Sequence, residues 1–357
     1  MLEEPRRLVE RTLPLPELGD DDGLLRVEAC GLCGTDHEQY TGALNPGFAF
    51  VPGHEIVGVV EDVGPAAADR WAVEVGDRVA VEVFQSCRSC AACRAGEVQR
   101  CERHGLRDMY GMSPVARAPG LWGGYADWLY LAPDARVVRV PDGLDPVVAT
   151  LFNPLGAGLR WGAELPGTGA GDVVAVLGPG VRGLAATAAA RKAGAEFVLV
   201  TGVGPRDDER LALAKRFGAD LTVDVSERDP VHALRDRCGR LADIVVDVTA
   251  NAPAAFAQAM ALARPGGIVI VAGTRGAGDA PGFSPDVIVA KELRVVGALG
   301  VDTPAYRGAF ELLTSGRFPF AELPRRVEPL AGADGLLRAL AGESDRPPVH
   351  GVLVPRP

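Results

Sequence analysis

The sequence predicts an α/β protein of two domains, a β-rich part followed by a doubly wound parallel sheet. Three observations carry this expectation. A chain of 357 residues, 47% apolar, is long enough to bury two cores. Residues 1–150 read as short apolar or alternating segments, such as Leu24–Ala29, Ile56–Val63 and Arg78–Val83, bounded by Gly, Pro or Asp. From about Asp172 strands alternate with helices, the mark of βαβ units.

In the second part, strands are expected at Val173–Leu177, Phe197–Thr201, Leu221–Val225, Asp243–Val248, Ile268–Ala272 and Arg294–Leu299. Helices are expected at Leu184–Ala193, Val231–Arg237 and Pro253–Ala263, with another ending at Phe217-Gly218. Gly42–Gly53 and Met112–Gly124 read as loops. The segment after about Val301 is too short for a third domain and is expected to pack on the first.

The net charge of −10 argues against nucleic acid or an anionic membrane as a partner. Lysine occurs only at Lys192, Lys215 and Lys291, so the basic charge is nearly all arginine. Met1–Arg11 has no apolar segment, and no run reaches the eighteen or so residues of a membrane helix. Seven cysteines at metal-like spacing favour a reducing, cytoplasmic setting over a disulfide scaffold.

Cys87-Arg-Ser-Cys90-Ala-Ala-Cys93, followed by Cys101, is the most specific local signal. Four thiols this close suit one tetrahedral zinc. The competing readings are an iron–sulfur cluster and two disulfides. The lobe around them, about 85–103, has few large apolar side chains, so a metal supplies what packing does not. Four protein ligands close the site, which makes it structural rather than catalytic.

Gly178-Pro179-Gly180-Val181-Arg182-Gly183 follows an apolar strand and opens a helix. In that context it reads as a dinucleotide turn, with Gly178, Gly180, Val181 and Gly183 at the pyrophosphate. The next strand ends Thr201-Gly202 without an acid. The turn then runs Val203 to Glu209 and looks longer than usual. Arg206 there suits a 2′-phosphate, whereas Asp207 or Asp208 bending back onto ribose suits NAD. The reading leans to NAD over NADP.

With Val27-Glu-Ala-Cys-Gly-Leu-Cys33-Gly-Thr35-Asp36, Gly53-His54-Glu55, Gly76-Asp77-Arg78-Val79, Gly123-Gly124-Tyr125-Ala126 and Pro265-Gly266-Gly267, the chain resembles the zinc-dependent medium-chain alcohol dehydrogenases, in the branch of polyol, secondary-alcohol and threonine dehydrogenases. The resemblance runs the whole length. It implies a GroES-like catalytic domain at 1–152 and 300–357 and a Rossmann domain at 153–299. It implies a catalytic zinc on Cys33 and His54, with Asp36 orienting His54 and Thr35 starting a proton relay. A base follows on the same stretch, His37 or Glu38. Relatives of this kind also imply a homodimer or homotetramer.

One position departs from the family. The third ligand, usually Cys, Asp or Glu, is replaced by Asn153, in Asn153-Pro154-Leu155. An amide is a weaker zinc ligand than a carboxylate. Cys33 thiolate and neutral His54 would leave the centre at about +1, poorly matched to a dry pocket. Glu55 is therefore expected to coordinate, with Asn153 as a distant ligand or on the bound water. The rival account is a weakened or lost catalytic metal. His104, His232 and His350 match no motif. Cys30 reads as a buried thiol near the site and Cys238 as a buried or surface one, while Trp122, Tyr125 and Phe152 read as packing side chains, or as the lining of an apolar substrate pocket.

The implied reaction is reversible hydride transfer between a secondary alcohol or polyol and NAD(P), with two zinc ions per chain. The alternatives are a zinc-free reductase of activated double bonds or carbonyls, and a non-catalytic zinc- and dinucleotide-binding protein.

Overall fold

A computed structural model describes residues 1–44, 46–274, 279–340, 342–343 and 348–355; residue 45 of the expected Gly42–Gly53 loop lies outside them. The chain divides into two compact units. One comprises Met1–Asn153, Asp302–Thr314 and Phe320–Pro357, the other Pro154–Val301 and Ser315–Pro319.

The first unit opens with a small pair, β1 (Leu2–Glu4) and β2 (Arg7–Leu8). Its main sheet contains β3 (Gly23–Leu32), β4 (Glu55–Val63), β5 (Arg78–Val81), β6 (Trp128–Leu131) and β7 (Val137–Arg139). The late strands β14 (Arg325–Pro329) and β15 (His350–Val354) complete it, in the order β14-β15-β3-β4-β5-β7, with β6 also on β3. The ten-residue β3 is the spine, because Leu25, Val27 and Leu32 can all be buried on it. They pack with Ile56, Val79 and Leu129 in one core. Helices here are α1 (Gly34–Thr41), α2 (Pro65–Trp71), α3 (Ala91–Arg94), α4 (Pro146–Ala149) and the start of α5 (Phe152–Leu159).

The second unit is a six-stranded, wholly parallel sheet. Its strands are β8 (Val173–Leu177), β9 (Phe197–Gly202), β10 (Leu221–Asp224), β11 (Ala242–Asp247), β12 (Ala263–Val271) and β13 (Arg294–Gly297). The order β10-β9-β8-β11-β12-β13 reverses direction between β8 and β11. That is the strand order of dinucleotide-binding sheets, whose ligands sit at this reversal. Connecting helices are α6 (Val181–Ala193), α7 (Gly204–Arg216), α8 (Pro230–Cys238), α9 (Pro253–Leu262) and α10 (Asp286–Lys291). β8 is buried at every residue, as a strand covered on both faces must be. Helices α11 (Thr303–Thr314) and α12 (Ala333–Leu340) lie in the first unit.

Two expectations are corrected. α6 begins at Val181, three residues before the expected start, since the Gly180 backbone caps it directly. The long turn at Val203–Glu209 is helix from Gly204 onward. Pro205 in its first turn is pre-set for helical φ, and Asp207 bonds back to the entry.

Candidate functional site

The first centre is built where β3 runs into α1. Cys33 is the N-cap of α1, and Asp36 closes a capping box by accepting the Cys33 amide at 2.9 Å. The box holds the Cys33 side chain at the head of the helix. The Cys33 Sγ lies 3.1 Å from His54 Nε2. Asp36 is buried, and its Oδ1, with no hydrogen-bond partner among the described residues, stands 3.7 Å from His54 Nδ1. The carboxylate is thus placed behind the ring, where it fixes which nitrogen faces Cys33.

Glu55, 1% exposed, opens β4 beside His54. Ligand atoms of Cys33, His54 and Glu55 all lie within 4.8 Å of one another. Gly31 makes room for this carboxylate: a Cβ there would stand 2.5 Å from Glu55 Oε2. A thiolate, an imidazole and a carboxylate suit a zinc ion. Asn153 is also buried, and its Nδ2 donates to the Tyr306 hydroxyl at 3.2 Å. Phe152 stacks on Phe310 at 6.0 Å between ring centroids and meets the tilted Tyr306 ring at 5.0 Å.

Thr35 is half-buried in the first turn of α1. His37 is half-buried on α1, because the capping box starts the helix before it. Burial lowers its pKa, against the opposing charges of Glu343 and Glu38. Glu38 is itself buried. Cys30 is fully buried, and burial pushes its thiol well up. The Tyr125 hydroxyl is buried without a hydrogen-bond partner among the described residues, and Asp36, Cys30, Cys33 and Glu55 all add to the effect of burial in raising its pKa. Gly123-Gly124 beside it was the sequence signal: a Cβ at Gly124 would meet Cys30 Sγ at 2.6 Å.

The second centre is the four-cysteine lobe. Cys87, Cys90, Cys93 and Cys101 bring their sulfurs within 4.8 Å of one another, and none is in a disulfide. Amides point at the sulfurs, as thiolate ligands need: Cys90 N lies 3.4 Å from Cys87 Sγ, and Cys93 N 3.4 Å from Cys90 Sγ. The Ser89 hydroxyl and the Ser89 and Cys90 amides pull Cys87 down to about 5. At Cys101 burial pushes upward, but the amides of Cys87, His104 and Arg103 outweigh it. The donor set fits a tetrahedral zinc.

The third element is the turn after β8. Gly178 adopts φ 98°, and a Cβ at Gly183 would lie 1.8 Å from Gly178 O. The turn closes only with glycine there, which leaves the α6 amides facing the sheet reversal. Gly202 ends β9. Asp207 sits just past the end of β9, in the first turn of α7. It is buried, accepts the Val203 amide at 3.0 Å and pairs with Arg210 at 3.3 Å. Arg206 and Asp208 are exposed.

Residues 19–142 match the alcohol dehydrogenase GroES-like domain family, and residues 182–315 the zinc-binding dehydrogenase family. A Mycobacterium tuberculosis protein named "Probable alcohol dehydrogenase adh" is 69% identical, over 99% of this chain and 97% of its own length. The chain belongs to the zinc-dependent medium-chain dehydrogenase/reductase family. As a member, it is an NAD(P)-dependent oxidoreductase acting on CH–OH groups. Among other dehydrogenases of this family, the erythritol/L-threitol dehydrogenase of Mycolicibacterium smegmatis is 31% identical over 91% of this chain and 88% of its own. A zinc-binding dehydrogenase of Sinorhizobium meliloti 1021, solved with NADP bound, superposes with a TM-score of 0.84 at 30% identity, covering 99% of this chain and 97% of that one.

Proposed function

We propose that the chain is a zinc-dependent dehydrogenase of a secondary alcohol or polyol, working reversibly with NADP or NAD. The observation that carries this is the convergence of Cys33, His54 and Glu55 beside the Thr35–Asp36 turn. Cys33, His54 and Glu55 would hold the catalytic zinc, and Cys87, Cys90, Cys93 and Cys101 the structural one. A bound zinc supplies Lewis acidity, lowering the pKa of an alcohol hydroxyl toward neutrality.

The remaining work falls to the chain's own residues. Asp36 keeps His54 Nε2 turned toward Cys33. Thr35, at the head of α1, accepts the hydroxyl proton and passes it toward His37 or Glu38. Asn153, with its nitrogen held by Tyr306, has its oxygen left for a water or the substrate. Gly178, Gly180, Val181 and Gly183 carry the pyrophosphate on the α6 amides. Gly202 lets the ribose approach the end of β9. Asp207 spends its carboxylate on the Val203 amide and on Arg210, which leaves the exposed Arg206 for a 2′-phosphate. This supports NADP, against the lean of the sequence toward NAD.

Seven cysteines, none of them in a disulfide, support a cytoplasmic setting. No helix among the described residues is long and apolar enough to cross a membrane. The homodimer or homotetramer reading is supported by the edge strand β13, where Val295, with Val289 and Leu299 nearby in sequence, is exposed.

The test is zinc per chain by elemental analysis, followed by turnover of an alcohol panel with both nicotinamides. Two zinc ions and turnover of secondary alcohols are expected. One zinc per chain, with no gain of metal or activity on adding zinc, would move the assignment to the zinc-free reductase.

A further inference from the structure

His104 matches no motif, yet it is buried and its ring is gripped at both nitrogens. Nδ1 lies 2.8 Å from Asp108 Oδ2, and Nε2 lies 2.8 Å from Asp134 Oδ2. Each carboxylate leads somewhere different. Asp134 holds the two ends of the four-cysteine lobe. Its backbone carbonyl accepts the Ser86 amide at 2.9 Å, and its side chain accepts from Arg88 at 3.1 Å and Arg103 at 3.2 Å. The His104 amide also faces the Cys101 sulfur.

Asp108 leads the other way. Its Oδ1 accepts from Arg117 at 2.6 Å, and the Arg117 guanidinium lies 4.6 Å from the Trp122 ring centroid. Trp122 Nε1 donates to the Arg117 carbonyl at 2.9 Å. The Trp122 carbonyl accepts the Gly111 amide at 2.7 Å. Gly111 is pressed against the first centre: a Cβ there would stand 2.7 Å from Gly53 O and 3.1 Å from His54 Cβ. An unbroken run of hydrogen bonds and close packing therefore joins Cys101 to His54 inside one unit, and His104 is its link to both carboxylates.

We propose that His104 is a positioning residue that clamps the four-cysteine lobe to the segment backing His54, so that the lobe stiffens the Cys33–His54 metal centre. Partners that orient metal ligands change metal affinity by about 10- to 100-fold when removed, which sets the scale. A physical run of contacts is not yet coupling, so the experiment must read both centres. The inference rests on the two-zinc reading above, and its test separates the two.

Purified full-length protein is mixed with a chromophoric chelator, and zinc release is followed in time. The Cys33→Ser and Cys87→Ser variants assign each kinetic phase to a centre. Wild type must release two zinc ions per chain; if it does not, the two-zinc reading fails before this one is reached. His104→Gln, which cannot span both carboxylates, is expected to hasten both phases by about tenfold or more. Asp108→Asn keeps one oxygen for the His104 ring and replaces the acceptor of Arg117 by an NH2 donor, so it weakens chiefly the arm toward Trp122. It is expected to hasten the Cys33–His54 phase alone, with the lobe phase and the melting temperature unchanged, which a general loosening would not do. The clamp is overturned if His104→Gln alters the lobe phase only or neither phase. It is overturned equally if Asp108→Asn leaves the Cys33–His54 phase as in wild type or hastens both phases together. Should His104→Gln fail to fold, Asp108→Asn decides alone.

Discussion

Replacing Glu55 by Ala isolates the charge of the first metal centre. With Cys33 as thiolate and His54 neutral, a zinc ion there would carry a residual charge of about +1 without the carboxylate. Glu55 is 1% exposed, so water cannot substitute for it cheaply. Its ligand oxygen lies within 4.8 Å of those of Cys33 and His54. A carboxylate about 4 Å from a unit positive charge is attracted by about 4 kcal/mol at an effective dielectric of about 20, and a directly coordinating one by more. Losing the carboxylate should therefore weaken zinc at this centre by about two orders of magnitude or more. The four-cysteine lobe serves as internal standard. After dialysis against a mild chelator, wild type should keep two zinc ions per chain and Glu55→Ala one. Dehydrogenase activity should fall in step and return with added zinc. If the variant keeps both metals through the same dialysis, the carboxylate is not a ligand and the charge argument is wrong.

Three other outcomes follow from particular side chains. Arg206→Ala should raise the KM for NADP by about tenfold and leave that for NAD almost unchanged; equal effects on both would remove Arg206 from the 2′-phosphate role. Tyr125→Phe deletes a buried hydroxyl that has no hydrogen-bond partner, so denaturant unfolding should show a gain of about 1 kcal/mol, and a comparable loss would mean the hydroxyl is satisfied. Burial, and then the Arg325 cation, hold the His350 pKa down at about 3 from 6.5. The unfolded chain then binds a proton below pH 6.5 that the folded one refuses until about pH 3. Stability from this group is whole above 6.5 and falls on acidification toward 3, by at most about 1.4 kcal/mol per pH unit. His350→Gln should flatten that slope in equilibrium unfolding at pH 4 to 7, and an unchanged slope would show that other groups set it.

Where each motif carried its own chemistry, the sequence was readable. The four cysteines announced their cluster by spacing, and Gly178 to Gly183 announced a turn that only glycine closes. The parallel strands stood out because burial on both faces makes them continuously apolar. Short helices were opaque for the opposite reason. α1 follows a strand without a polar N-cap side chain of the usual kind, since Cys33 takes that place. Its start is visible only once Asp36 is seen to close the box. At Asp207 the sequence shows a carboxylate past the end of β9 but not that it accepts the Val203 amide. His104 was invisible: its partners lie 4 and 30 residues away, and no local pattern joins them.

The near absence of lysine has a consequence for alkaline conditions, which favour alcohol oxidation by taking up the released proton. An ammonium loses its charge within reach of such solutions, whereas a guanidinium keeps it. Arg78–Glu28, Arg117–Asp108, Arg136–Glu82 and Arg264–Asp243 would all stay intact there. The exposed point is Lys291, whose Nζ donates to the carbonyls of Met260, Ala261 and Ala263 at the end of α9. Burial and Arg235 lower its pKa, so the end of α9 is where a rise in pH would first be felt.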